Sequence, residues 1–242
     1  MSFDRVKPHF PEITAPQWEQ LTRMAALHRE WNAKINLISR KDIDNLEWHH
    51  YAPCMAAVKF LKLMDGARVI DVGCGGGFPG LILAVLYPQA RFTLVDSVGK
   101  KILVVKDIVE RMKLRNVEVI NARVETITKE YDFVTGRAVT ALPAFVQLTK
   151  GLIRKGAKHS HDNGLLYWKG GPLAQEKEAM GVNPDFTFEL QPTLENDEYF
   201  FEKFILHYRT NTLNRAKKPE APGEEQANPE PATGTAEQAK AE

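Results

Sequence analysis

Apolar residues recur at three- and four-residue intervals early in the chain, at Trp18, Leu21, Ala25 and Leu27, with His28 and Trp31 continuing the stripe. That spacing predicts an amphipathic helix, and Thr14-Ala15-Pro16 supplies a start, since proline is tolerated in a first turn. A second apolar run, Met55, Val58, Phe60, Leu61 and Leu63, follows Pro53 and stops near Gly66. Between the two lies WNAKINLISRKDIDNLEWHHYAP, rich in hydrogen-bond donors and read as a solvated connector.

After Gly66 the period changes. ARVIDVG and RFTLVD are short runs of strand character, and FPGLILAVLYP between them reads as a helix. VGKKILVVKDIVERMKL places Ile102, Val105, Ile108, Val109 and Met112 on one helical face. VEVI, DFVTG, the helix TALPAFVQLTKGLI and GLLYW continue the alternation. Strands alternating with helices of this length predict right-handed crossovers and a parallel sheet covered on both faces. DFTFELQ and YFFEKFILHYR break the rule, because PTLENDE between them is too short for a crossover helix; they predict an antiparallel hairpin at one edge.

From about Ala216 the chain carries no aromatic, Ile, Leu or Val residue, too little apolar surface to offset the entropy of ordering it. The expected organisation is a helical extension over residues 1–65, an α/β domain over 66–210 and a disordered tail over 211–242. A content of 43% hydrophobic and 26% charged residues excludes collagen, coiled coil and wholesale disorder. The start lacks the apolar stretch of a signal peptide and no run is long enough to span a membrane, so a cytoplasmic protein is expected. Cys54 and Cys74 stand in unlike contexts, which suggests neither a disulfide nor a metal site.

The formal charge of +1 divides unevenly. Residues 211–242 carry four basic and six acidic side chains, leaving 28 against 25 in the body. Between Lys150 and Lys169 stand Lys150, Arg154, Lys155, Lys158 and Lys169 against Asp162 alone. Such clustering is the footprint of a nucleic-acid groove.

The strongest local signal is DVGCGGGFPG at 71–80, which leaves a strand and enters a helix. Glycines are required where the chain turns tightly and a ligand approaches the backbone. Two registers fit: Gly73-x-Gly75-x-Gly77, the spacing of S-adenosylmethionine sites, and Gly75-x-Gly77-x-x-Gly80, the dinucleotide fingerprint. Asp96 ends the second strand, 19 residues after Gly77, where a carboxylate accepts hydrogen bonds from both ribose hydroxyls of an adenosine in either case. The hairpin favours methyl transfer, since a methyltransferase sheet inserts an antiparallel seventh strand beside its fifth. The expected fold is therefore a Rossmann-like S-adenosylmethionine-dependent methyltransferase, a seven-stranded mostly parallel sheet with a C-terminal hairpin, preceded by helices.

With these features on Trp31-Asn32, Asn36-Leu37, DVGCGGGFPG, LVDSVGKK at 94–101, NARVE at 121–125, GRAVTAL at 136–142 and WKGG at 168–171, the sequence resembles a known family. It is similar, over roughly residues 14–208, to the bacterial guanine-N7 methyltransferases of small-subunit (16S) ribosomal RNA, also called glucose-inhibited division protein B. Gly75-Gly76-Gly77 is looser than the family's usual loop.

The resemblance implies methyl transfer from S-adenosylmethionine to N7 of a guanine in the decoding-region loop, by a monomer that uses no metal. It implies Gly73, Gly75 and Phe78 around the amino-acid end of the cofactor, Asp96 on the ribose, Val124 and Glu125 against the adenine, and Arg137 where the methyl group is delivered. Arg137 and Lys169 are the expected catalytic-site side chains, because an arginine fork suits guanine O6. Phosphate contacts are expected from Arg123, Asn32, Lys34, Asn36, Arg40 and Lys41, and from Lys155 and Lys158 in the basic stretch. A methyltransferase acting on a non-RNA substrate is the alternative.

Overall fold

The computed structural model describes residues 3–218. Seven strands form one sheet: β1 (Arg68–Val72), β2 (Arg91–Asp96), β3 (Val117–Asn121), β4 (Phe133–Arg137), β5 (Gly164–Gly170), β6 (Phe186–Glu189) and β7 (Lys203–Arg209). Their order is β3-β2-β1-β4-β5-β7-β6. The first five are parallel, and β7 runs antiparallel to both β5 and β6, as the hairpin predicted.

Side chains alternate across this sheet with a period of two. Val69, Phe92, Phe133, Leu166, Trp168 and Ile205 join one buried cluster. Ile70, Val95, Val134, Leu165, Tyr167 and Leu206 join the other. The first face is covered by α1 (Ala15–Asn32), α2 (Ala52–Met55), α3 (Gly80–Leu86) and α4 (Gly99–Met112); the second by α5 (Leu142–Thr149), α6 (Ala174–Met180) and a closing turn of helix.

Helix α1 begins as its sequence predicts. Thr14 and Gln17 form a reciprocal capping box, and Gln17 also donates to the carbonyls of Val85 and Leu86. Leu21 and Met24 are fully buried in the same cluster as the sheet. Trp31 Nε1 donates to Asp107 of α4 at 2.7 Å. The N-terminal helices therefore share a core with the sheet and clamp the side that carries the glycine loop.

Two expectations change. The connector folds: Leu46–Tyr51 is a wide helical turn running into α2, with Trp48 and Tyr51 buried, because its aromatic residues cap the core while its polar atoms find partners within the chain. The tail expected from Asn211 is ordered as far as the described residues reach: α7 (Leu190–Thr193) lies within the hairpin, the sheet is followed by α8 (Thr210–Leu213) with Thr212 and Leu213 buried, and Lys217 N–H donates to the Met180 carbonyl. Residues 219–242 of that expectation lie outside the described residues. No helix among the described residues is long and apolar enough to cross a membrane.

Candidate active site

The carboxyl ends of β1, β2, β3 and β4 form one rim, where open α/β sheets bind ligands. Residues 73–77 leave β1 with positive φ at Gly73, Gly75 and Gly77, and the Gly73 and Cys74 N–H groups both donate to the Val95 carbonyl. A Cβ at Gly75 would project into open space above the loop, where the nearest other atom is 4.0 Å away. That opening is the cradle a ligand needs.

Beneath the loop, Asp71 accepts from Thr135 Oγ1 and Gly80 N, each at 2.9 Å. Complete burial still pushes its carboxyl up to about 7. Asp96 stands at the next strand end, accepting from Gly75 N at 2.9 Å with one oxygen and from Val98 N at 2.8 Å with the other. Each oxygen keeps acceptor capacity, since an ionised carboxylate offers about four lone-pair directions. Val124 is half-buried and Glu125 exposed in the short turn after β3, at the same rim.

Arg137 closes β4. Its guanidinium donates to the His50 carbonyl and to His50 Nδ1, both at 3.1 Å, to the His49 carbonyl at 3.4 Å and to Cys54 Sγ at 3.6 Å. Its side chain makes no ion pair among the described residues, so its charge is held by neutral dipoles. His50 Nε2 donates in turn to Asp42 Oδ2 at 2.6 Å. Burial and the adjacent Arg137 lower the His50 pKa to about 4, so the imidazole is neutral and its proton lies on the nitrogen facing Asp42. Burial raises the Cys54 thiol to about 11 and the Cys74 thiol well above its ordinary value. Neither sulfur is a nucleophile at neutral pH.

Beyond Arg137 opens a cavity of about 450 Å³, lined among others by Trp168, Lys169, Tyr199, His49 and Lys203. His49 and Tyr199 stack with ring centroids 3.4 Å apart, and Lys203 Nζ lies 3.1 Å from the Tyr199 centroid. Lys169 lies 3.5 Å from Glu176 and also donates to the Gly170 carbonyl.

The structure thus gathers Gly73, Gly75, Asp96, Val124, Glu125, Arg137 and Lys169 at one end of the sheet. Arg123 is exposed just before the Val124 turn, and Asn36, Arg40 and Lys41 are exposed on the connector, which packs over the loop through Leu37. Lys34 pairs with Glu30.

Four of the expected residues are engaged elsewhere or stand apart from this rim. Phe78 stacks its ring on His28 with centroids 4.7 Å apart and fills the apolar gap between loop and α1, so only its backbone stays with the glycine loop. Asn32 is buried, its Oδ1 accepting from Leu37 N and Ile38 N at 2.9 Å each, so it caps the end of α1. Lys155 and Lys158 lie before β5 at the opposite end of the sheet, where Arg154 is bound to Asp132 through two hydrogen bonds of 2.8 Å. The five steps of β5 from Gly164 to Lys169 span roughly 17 Å at about 3.3 Å each, which separates them from Lys169. The cavity residues Tyr199, His49 and Lys203 were missed as site residues; the paired histidines of the connector and the aromatic run before β7 were their only sequence signals.

The family model for rRNA small subunit methyltransferase G (GidB) matches residues 17–179. A curated relative from Christiangramia forsetii is 40% identical over 205 residues, 85% of this chain and 96% of the relative. One from Flavobacterium johnsoniae is 41% identical over 204 residues, 84% of this chain and 96% of that one. Both are named Ribosomal RNA small subunit methyltransferase G. The solved structure of a SAM dependent methyltransferase from Aquifex aeolicus is similar in fold, with TM-score 0.50 at 17% identity over 70% of this chain and 97% of that one. By the family model and by these full-length relatives, the chain belongs to the rRNA small subunit methyltransferase G family.

Proposed function

We propose that this protein transfers a methyl group from S-adenosylmethionine to N7 of a guanine in 16S ribosomal RNA, in the decoding-region loop, as a cytoplasmic monomer. The observation that carries the site assignment is the position of Arg137, between the open glycine cradle and a separate cavity with aromatic walls.

The residues present fit the cofactor: the space above Gly75 suits its amino-acid end, the Asp96 carboxylate its ribose hydroxyls, and the Val124–Glu125 turn its adenine. When bound, it supplies an electrophilic methyl group on a sulfonium. Guanine N7 has a free lone pair at neutral pH and attacks without first losing a proton. Held by Gly75, Asp96 and the Val124–Glu125 turn, the cofactor would supply both the methyl group and the sulfur leaving group. No general base or cysteine nucleophile is needed, in keeping with two buried, protonated thiols.

What the chain contributes is alignment and exclusion of water, which can supply about 7 to 11 kcal/mol of the barrier. Arg137 forks toward guanine O6 and leaves N7 free. His50, held by Asp42, keeps the guanidinium aimed. His49, backed by Tyr199, offers an aromatic wall for the flipped base, Lys169 lines the acceptor side, and Arg123, Asn36 and Arg40 take phosphates along the rim.

Incubation with labelled S-adenosylmethionine and small ribosomal subunits should place the label in RNA. Label found in protein, surviving nuclease digestion, would favour the non-RNA reading.

A further inference from the structure

The end of the sheet opposite the cofactor rim carries a second feature that methyl transfer does not use. The amino ends of β1, β2 and β3 border an open groove of about 670 Å³ whose lining includes Arg68, Arg91, Arg115 and Lys129 against Glu118 as its only carboxylate. Glu118 reaches Lys129 alone, at 3.6 Å with both side chains more than half exposed. Five other arginines, Arg5, Arg29, Arg111, Arg154 and Arg209, lie on carboxylates. Arg91 and Arg115 are exposed, and their side chains have no partner among the described residues.

Tyr131 supplies a second, independent sign. It lines the groove, beneath the Arg68 guanidinium at 5.6 Å from its ring centroid, and is 2% exposed. Its buried hydroxyl has no hydrogen-bond partner. An unsatisfied buried hydroxyl is costly, on the order of 1 to 3 kcal/mol, and is uncommon without a ligand or water to complete it. The groove also continues sideways. Tyr131 N–H donates to the Leu152 carbonyl and Arg154 N–H to the Tyr131 carbonyl, so the segment carrying Lys155 and Lys158 runs along the same edge.

We infer that this groove is a second RNA-backbone site, which grips phosphates of ribosomal RNA outside the loop being methylated. The inference rests on the RNA reading proposed above. Unpaired arginines suit phosphate oxygens, and a band of cations spread along an edge suits a chain of phosphates better than one small anion. Arg91 and Asp96 stand at opposite ends of β2, about 17 Å apart at ~3.3 Å per step, so a single flipped nucleotide cannot fill both sites.

The test is the double variant Arg91→Ala/Arg115→Ala in the full chain, with wild type alongside. Affinity for protein-free 16S ribosomal RNA is measured across a potassium chloride series, together with S-adenosylmethionine affinity and methyl-transfer kinetics. Each lost phosphate contact lowers the slope of log affinity against log salt by about 0.7 to 0.9, so the slope should fall by roughly 1.4 to 1.8. RNA affinity at low salt should drop about tenfold or more, KM for RNA should rise, and kcat and cofactor affinity should stay unchanged. A slope and affinity equal to wild type, with wild type active, would overturn the inference and leave the RNA reading intact. Weaker binding to intact subunits with unchanged binding to protein-free RNA would overturn it in favour of an acidic protein surface. A wild-type enzyme that methylates no RNA would remove the parent reading, and this inference with it.

Discussion

Arg137 is placed by the N-terminal segment, although it belongs to the sheet. Two backbone carbonyls and a neutral imidazole receive its donors, so its charge is oriented without being cancelled. Replacing it by lysine keeps the charge and removes the fork, and should lower kcat by 100-fold or more with cofactor affinity unchanged, measured by single-turnover methyl transfer. Tyr199 makes a different prediction. Stacking on an aromatic side chain is worth about 1 to 3 kcal/mol per base, so Tyr199→Ala, which leaves the His49 ring unsupported, should raise KM for RNA about tenfold while Tyr199→Phe restores it. A change in kcat alone would argue against a stacking role. Asn32→Ala leaves the Leu37 and Ile38 N–H groups without their acceptor and should cost about 1 to 3 kcal/mol in denaturant unfolding, with no change in the salt dependence of RNA binding.

At the scale of elements, the glycine loop depends on what stands behind it. Gly77 has φ +95°, and a Cβ there would collide with Leu81. Gly77→Ala should therefore destabilise the fold by about 1 to 3 kcal/mol and weaken S-adenosylmethionine binding, both readable by thermal shift with and without cofactor. Helix α1 holds the loop from outside, since His28 bridges the Gly76 carbonyl at 2.8 Å and the Tyr51 hydroxyl at 2.6 Å. The loop, the alternation of strands and helices and the hairpin were legible in the sequence because each is written in local spacing. The cavity was not. His49 and Arg137 are 88 residues apart, and Tyr199 joins them only because β7 pairs with β5. The stacking of Phe78 on His28 was hidden for a related reason: a position in the loop motif says nothing of which side its ring takes. Lys155 and Lys158 looked like neighbours of Lys169, and a whole strand carries the chain across the sheet between them.

Across the whole molecule, burial leaves three histidines hard to protonate. His28, His50 and His207 are each lowered to about 4 from an ordinary 6.5, burial being the largest cause in all three. The unfolded chain takes up protons at these sites first, so their stabilisation is complete above about pH 6.5 and is lost as the pH falls toward 4. Asp71 acts in the opposite sense. Raised to about 7 from 3.8, its contribution is full below pH 3.8 and is lost as the pH rises through 7. Three groups outweigh one, so unfolding free energy should drop by a few kcal/mol, to order of magnitude, between pH 6.5 and 4.5. Equal or greater stability at pH 4.5 would contradict the burial of these imidazoles as neutral groups.

The same scale sets the charge pattern. A body of 28 basic and 25 acidic residues suits a protein that holds RNA at defined places and not over its whole surface. The central claim, methyl transfer to a guanine N7 in 16S ribosomal RNA, is tested most directly by mapping N7-methylguanine along that RNA from cells with and without this protein. One such nucleotide should disappear with the protein and return with the wild-type chain but not with Arg137→Ala. Persistence of every N7-methylguanine in its absence would contradict the account.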